Sequence, residues 1–486
     1  MSNVPASPSV LVNHQKLSAT GEQVAGKLGQ FSWALFEFAR SPYLVFIYIY
    51  VFAPYFANVV IGDAVRGQEL WSFANTLVGL LVALIAPILG AIADRAGRRK
   101  PWLVAIVVVM APSCVALWWA MPGGEGGLPV SVILMFVVIL AGCFLLSEVF
   151  HNAMLPSLVC QNQIGKLSGL GIATNNIGAL LVLCLMLYAV ALPASDAVSW
   201  SFLPEQPLFG LDPLQHEHDR IGGPVAGIWL ILFTLPLLMW TPDRATTGIS
   251  YSQAIRDGFS QLQNTIRYAR RIRNVVLYLL ARMLYNDGKV AALAYAGLYA
   301  AGIFGWQLPE MLLCAVVLTP FAIVGGFIGG WLDTTFGSKR AIQISVGSSA
   351  LLMLSAVSIT SDQIFFFIDY SGSRSTELWS LPYFKTVPEV TYIVVAMILS
   401  ISITSAFTNS RTMMARIAPV KMINQFYGLY ALSGTATAFL GHAMVGFFTH
   451  HFQSQRAGFA SLIILLVAGL SLMRWVKEER AQDIVT

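Results

Sequence analysis

Three groups of charged and polar side chains interrupt otherwise apolar stretches: Glu37 with Arg40, Glu148 with His151 and Asn152, and Arg282 with Asp287 and Lys289. A charge at mid-bilayer costs about 2.5 to 3.5 kcal/mol on insertion scales, so such residues face a partner or a wet cavity. A carboxyl or imidazole lining a cavity can take up a proton on one side and release it on the other. Glu37, Glu148, His151 and Asp287 are therefore candidates for proton coupling. Glu148 comes first, because within one helical turn it has no cation except His151. Arg40 and Lys289 are candidates for holding a carboxylate or phosphate of a solute, Arg40 by a two-pronged fork. Glu37, Asp287, Asn152 and the hydroxyls of Tyr43 and Tyr285 complete the candidate solute contacts. The competing reading is neutralisation, Glu37 with Arg40 and Asp287 with Lys289, serving only to hold helices together. Glu37 and Arg40 lie three apart, about 60° around a helix, so they can share a face.

The elements that position these groups must be membrane helices. Of 486 residues, 56% are hydrophobic and 11% charged, and the mean hydropathy is +0.69, whereas a soluble domain is about a quarter charged. Crossing a ~30 Å hydrocarbon layer takes roughly 20 mainly apolar residues. Such stretches recur at 31–59, 71–93, 101–121, 129–156, 167–192, 222–241, 274–302, 309–332, 341–359, 388–409, 426–449 and 457–476. They predict an all-α membrane protein of twelve spans in two six-helix halves. The expected organisation is a tail (1–30), a first half (31–241), a linker (242–273), a second half (274–476) and a short tail (477–486). Pro42 and Pro54 interrupt the first span, which is tolerated beside protein or water.

One short cassette appears twice: Gly90-Ala-Ile-Ala-Asp94-Arg95-Ala-Gly97-Arg98-Arg99-Lys100 and Gly329-Gly-Trp-Leu-Asp333-Thr-Thr-Phe-Gly337-Ser-Lys339-Arg340. The aspartates are 239 positions apart (333 minus 94), close to half the chain, as expected of two related halves. An aspartate can meet the positive end of a neighbouring helix, and arginines in a short loop can close on a carboxylate. Asp94, Arg95, Arg98, Arg99, Asp333, Lys339 and Arg340 are thus candidates for gating, as is Arg411 at the inner end of the tenth span. Lys and Arg are retained on the cytoplasmic side. Only Arg66, Arg220, Arg374, Lys385 and Arg456 fall opposite the cassettes outside the spans, so both termini are expected in the cytoplasm. The net charge of +5 follows from this topology, and a nucleic-acid partner is not expected. No short apolar core follows a basic start, so no cleaved signal peptide is expected.

Outside the spans, Ile255, Phe259, Leu262, Ile266 and Ala269 recur at helical spacing among Arg256, Arg267, Arg270, Arg271 and Arg273, the pattern of a helix on the inner membrane surface held by anionic lipid. Residues 193–221 and 360–387 form longer outer loops. His216-Glu217-His218-Asp219 in the first reads as a solvated loop, since neighbouring residues without a distant fourth ligand are a weak metal signal. The five cysteines read as free thiols, His442 as a packing hydrogen-bonder, and Trp102, Trp118, Trp119, Trp240, Trp306 and Trp475 as an interfacial belt.

The cassettes resemble the hallmark loop motif of the major facilitator superfamily, which falls between spans two and three and, more weakly, between eight and nine. Further motifs follow in order: Phe36-Glu37-Phe38-Ala39-Arg40-Ser41-Pro42-Tyr43, Asn152-Ala-Met-Leu-Pro156, Ser168-Gly169-Leu-Gly171, Tyr285-Asn286-Asp287-Gly288, Ser410-Arg411 with Pro419, and Phe426-Tyr-Gly428-Leu. Together they resemble the vacuole-effluxer family, which contains the autophagy-related vacuolar amino-acid exporter and many bacterial relatives. The resemblance implies a twelve-helix rocking-bundle fold, a cavity lined by spans one, four, seven and ten, and amino-acid efflux as in the fungal members. The chain departs from the family's Tyr-Asp-aromatic-Ala-Asn-Ser pattern, with Glu37 for the aspartate and Arg40 for the asparagine, and Lys289 follows Asp287-Gly288.

No nucleotide-binding Gly-x-x-x-x-Gly-Lys loop, His-Glu-x-x-His or Gly-x-Ser-x-Gly elbow occurs, so neither ATP-driven pumping nor enzymatic hydrolysis has residues to carry it. No cofactor or metal is expected. The expectation is a monomeric secondary transporter in a bacterial inner membrane, working by alternating access. It would move a small polar anionic or zwitterionic solute, with protons. Uptake of a larger anion such as a sugar acid, peptide or cell-wall fragment is the alternative, followed by lipid flipping.

Overall fold

The computed structural model describes residues 17–18, 20–95, 97–124, 126–160, 163–195, 200–244, 251–270, 272–370, 377–419 and 423–479; the side chains of Asp94 and Arg95 lie outside the described residues. Among the described residues, ten helices are long and apolar enough to cross a membrane. In hydrocarbon a chain must satisfy its own backbone, which is why each apolar run closes into a helix.

The first half contains α1 (Lys27–Pro42), α2 (Ala64–Arg95), α3 (Lys100–Ala116), α4 (Val130–Leu158), α5 (Ile164–Met186) and α6 (Gly222–Trp240). A connecting helix, α7 (Tyr251–Arg270), exposes Arg256, Arg267 and Arg270 and packs against α2. The second half contains α8 (Arg273–Phe304), α9 (Leu308–Phe336), α10 (Ser338–Val357), α11 (Val387–Ile417), α12 (Ile423–Thr435), α13 (Ala438–Phe452) and α14 (Gln455–Met473).

The halves repeat the same pairings. In the first, α1 packs on α6, α2 on α4, and α3 on both α4 and α6; in the second, α8 packs on α14, α9 on α11, and α10 on both α11 and α14. Across the halves α2 lies against α13, and α5 touches α9. At Gly79 an added Cβ would stand 2.6 Å from the Phe439 backbone, so that crossing of α2 and α13 requires glycine.

The two remaining predicted spans are helical but are not among these ten. α8 carries Arg273, Arg282, Asp287 and Lys289 along one helix. Span eleven is broken between α12 and α13, at residues 436–437. The first span is irregular too: after Pro42 it widens into a π-helix over Tyr43–Tyr50, kinks at Val51, and resumes over Phe52–Tyr55 before widening again over Phe56–Val60. Pro54 has no N–H, and its ring crowds the carbonyl four residues back. The irregular stretch is covered by protein, with Phe46, Phe52 and Phe56 buried. Trp306 does not join an interfacial belt. It is buried, and its indole N–H donates to Glu389 Oε1 at 2.7 Å.

Candidate functional site

Helical spacing puts Glu37 and Arg40 on one face of α1, and that face meets α4. Arg40 Nη2 donates to Glu37 Oε2 at 2.8 Å, while Nη1 donates to Ser147 Oγ at 2.9 Å. The guanidinium also lies 4.7 Å from the Phe144 ring centre. His151 Nδ1 stands 3.0 Å from Glu37 Oε1, and its Nε2 is 2.8 Å from the Trp33 carbonyl. Trp33 and His151 stack at 4.3 Å. Arg40 is 4% exposed and His151 fully buried. Glu37, Arg40, His151 and Ser147 thus form one network that joins α1 to α4, and the expected Glu37–Arg40 pairing is present.

The second expected pair does not form. Residues two apart on a helix point to different sides, and Asp287 and Lys289 separate accordingly. Asp287 Oδ2 accepts the backbone N–H of Gly441 at 2.8 Å, in the first turn of α13 just beyond the break. The carboxylate therefore occupies the positive end of a half-helix. Lys289 is 0% exposed. Its ammonium lies 3.7 Å from the Phe407 ring centre on α11 and 5.2 Å from that of Tyr285, and it has no hydrogen-bond partner among the described residues. Tyr285 is buried, with its hydroxyl 2.9 Å from Ser410 Oγ. Arg282 Nη1 donates to the Tyr430 carbonyl at 2.7 Å and to Ser433 Oγ at 2.6 Å.

Glu148 and Asn152 sit four apart on the exposed face of α4, and Glu148 has no ion-pair partner among the described residues. Tyr43 is buried against Phe144 at 4.9 Å. His442 is a packing hydrogen-bonder, as expected: its ring nitrogens lie 3.3 Å from Tyr48 OH and 2.9 Å from Tyr295 OH, so it links the two halves.

The cassette ends are built from residues that sequence reasoning missed. Asp333 Oδ2 accepts from Arg416 Nη2 at 2.7 Å, and Oδ1 accepts from Thr412 Oγ1 at 3.0 Å and from the Ser338 hydroxyl. Arg416 also pairs with Glu478. The Glu478 carboxylate accepts the N–H groups of Ser338 and Lys339, each at 3.0 Å. In the first half, Asp243 accepts the N–H groups of Arg99 and Lys100 at 3.0 Å. Lys339 Nζ reaches the Arg474 carbonyl at 3.0 Å, whereas Arg98, Arg340 and Arg411 are exposed. Asp243 and Glu478 are each the first acid after the last span of a half, 235 positions apart (478 minus 243), a signal the repeat itself contains.

The other end of the molecule is closed by contacts between the halves. Gln68 Nε2 donates to Thr449 Oγ1 at 2.7 Å, Gln455 Nε2 donates to the Ala64 carbonyl at 2.8 Å, and Glu69 meets His450 at 3.1 Å.

Two like halves of membrane helices, buried charges on α1 and α8 and a repeated cassette at one end are the architecture of a transporter of the major facilitator type. The family model described as "Vacuole effluxer Atg22 like" matches residues 70–484, and the chain belongs to that family. It is 22% identical over 459 residues to an uncharacterized MFS-type transporter, YxiO, of Bacillus subtilis (strain 168), covering 93% of this chain and 96% of that protein. It is also 22% identical over 344 residues to autophagy-related protein 22 of Yarrowia lipolytica, covering 66% of this chain and 52% of that protein; the chain thus spans about half the length of this fungal relative. Among solved structures, the fold is similar to a D-xylose-proton symporter (TM-score 0.60, 14% identity, 93% of this chain and 97% of that one). A bacterial homologue of the iron transporter ferroportin in an inward-facing state is also similar (TM-score 0.57, 13% identity, 92% of this chain and 98% of that one).

Proposed function

We propose that this chain is a monomeric secondary transporter that exports a small polar solute carrying a negative group, an amino-acid-like metabolite, by proton-coupled alternating access. The observation that carries this reading is Lys289. A cation withdrawn from water with no hydrogen-bond partner is expensive to keep, and an anionic group on the solute would complete it. Phe407 and Tyr285 form the aromatic side of that contact, and Asn152, exposed on α4, would meet the polar remainder. Glu148, exposed and without an ion-pair partner, is the proton carrier in this scheme. Arg40 and Glu37 already hold each other, so they enter solute binding only by exchanging partners as α1 moves. Cross-half bonds away from the cassettes and the predominance of Lys and Arg beside them support a state closed on the outer side, with both termini in the cytoplasm of a bacterial cell.

The test is thermal stabilisation of the purified protein by amino acids, peptides, sugar acids and cell-wall fragments, followed by counterflow of any hit in proteoliposomes. A binding ligand raises the melting point. The expected hit is a carboxylate-bearing solute whose stabilisation disappears in Lys289→Met. A transported neutral solute indifferent to that substitution would sink the reading. A second reading, movement of an amphiphile, is favoured by a cavity of about 320 Å³ between α2 and α13, lined by Phe73, Thr76, Ala443 and Phe447 with Glu69 and His450. It predicts a hit with lipid-like solutes only.

A further inference from the structure

The outer turn that leads into α6 brings together side chains that the transport reading does not use. Residues 213–215 make one helical turn and Glu217–Arg220 the next. His216, His218 and Asp219 converge there, with their ligand atoms all within 4.8 Å of one another. Asp219 Oδ2 lies 2.9 Å from His216 Nδ1 and 3.4 Å from His218 Nε2.

A tetrahedral zinc ion with bonds of ~2.0–2.2 Å to imidazole nitrogen and carboxylate oxygen sets its ligand atoms ~3.3 Å apart. The two edges at Asp219 bracket that value. The third, between the histidines, exceeds it by no more than ~1.5 Å, within reach of small side-chain rotations. His218 supplies a second observation. Its side chain is only 17% exposed, yet Nδ1 is buried without a partner and Nε2 makes no hydrogen bond among the described residues. An imidazole withdrawn from water with neither nitrogen bonded has a lone pair free for coordination.

The scaffold beneath is fixed. Glu217 accepts the N–H of Asp212 at 2.9 Å, and Asp212 accepts that of Leu214 at 2.9 Å. Arg220, 1% exposed, donates to the Trp118 carbonyl at 2.7 Å and to the Gln215 carbonyl at 3.0 Å, and stands 3.8 Å from Glu217. Three carboxylates, Asp212, Glu217 and Asp219, share this turn with one guanidinium, and the local balance favours a bound cation. Two imidazoles and one carboxylate suit zinc, nickel or copper rather than the all-oxygen shells of magnesium and calcium.

We propose that His216, His218 and Asp219 form a divalent transition-metal site on the side away from the cassettes, open to water in its remaining position. Occupancy would brace this turn against the outer end of the first span, where the Tyr55 ring lies 5.9 Å from His216 and its hydroxyl donates to the Ala120 carbonyl at 2.7 Å. The site does not depend on which solute is carried.

The experiment is calorimetric titration of tag-free, chelator-treated full-length protein in detergent with zinc chloride. The expected result is saturable binding of one equivalent, weakened about tenfold or more in His216→Ala, in His218→Ala and in Asp219→Asn, and undiminished by millimolar magnesium or calcium. Each variant's melting point without metal should match the parent's, and zinc should raise only the parent's strongly. If an alanine variant does not fold, His218→Gln replaces it. No saturable binding, or binding unchanged in all three variants, overturns the site.

Discussion

Asp243 and Glu478 perform the same task at equivalent places in the two halves. Each follows the last helix of its half and turns its carboxylate onto two successive N–H groups at the start of the helix that follows the cassette, α3 for Asp243 and α10 for Glu478. The internal repeat is thus preserved at the level of single hydrogen bonds. The basic partners are distributed differently. The second cassette has Thr334 where the first has Arg95, and its Asp333 pairs with Arg416 from the end of α11.

Removing either cap should destabilise its half. A side-chain acceptor at a helix N-terminus contributes roughly 0.5–2 kcal/mol, so Asp243→Ala and Glu478→Ala should each lower the melting point by a few degrees. The sites lie in different halves, and the double variant should show the sum. Scanning fluorimetry decides; a double variant no less stable than either single one contradicts separate caps.

Arg40→Asn, which restores the residue usual in the family, should destabilise the protein, because it strands Glu37 beside α4. Breaking a buried pair costs roughly 3–5 kcal/mol when the partner keeps its charge. Adding Glu37→Gln should recover much of that loss. A double variant as unstable as Arg40→Asn alone would show that Arg40 acts mainly through Ser147 and Phe144.

Lys289→Met is expected to leave stability unchanged or raised, since it removes an unpaired buried charge and keeps the volume. Transport of carboxylate solutes should fall by at least tenfold. Loss of stability together with retained transport would make the lysine a structural cation.

Glu148→Gln should separate coupling from exchange. Solute counterflow in proteoliposomes should continue, while accumulation driven by an imposed proton gradient should stop. Gradient-driven accumulation at the parental rate would remove Glu148 from the proton path.

Gly79→Ala should disfavour the outer-closed state, because its Cβ would stand 2.6 Å from backbone atoms of Phe439. Single cysteines in the outer cavity should become more reactive to an impermeant maleimide. Unchanged labelling together with a normal melting point would show that α2 and α13 part without consequence.

Much of this was readable from residue order. Apolar length predicted the helices, Pro42 and Pro54 marked the irregular first span, and a spacing of three joined Glu37 to Arg40. His442 found its tyrosine partners because a buried imidazole requires them. What stayed hidden depends on contacts between helices distant in sequence. Nothing local to Asp287 points to Gly441, 154 positions later, and nothing near Lys289 points to Phe407. Their two-residue spacing argues against the mutual neutralisation that charge alone suggests, but only knowing what faces each side decides it. Arg416 lay unremarked at the end of an apolar run because its partner Asp333 belongs to another hairpin.

The crowding of α8 bears on how the chain enters the bilayer. With Arg282, Asp287 and Lys289 each costing ~2.5–3.5 kcal/mol near mid-membrane, this helix is not among the ten that are apolar enough to cross on their own. Its main packing surface is α14, the last of the described helices and one made long after it. Insertion of the second half one helix at a time would leave α8 without its main packing partner at first. Until α14 arrives, α8 would depend on its other neighbours, and a chain truncated before residue 455 would leave α8 without that partner and exposed to quality control.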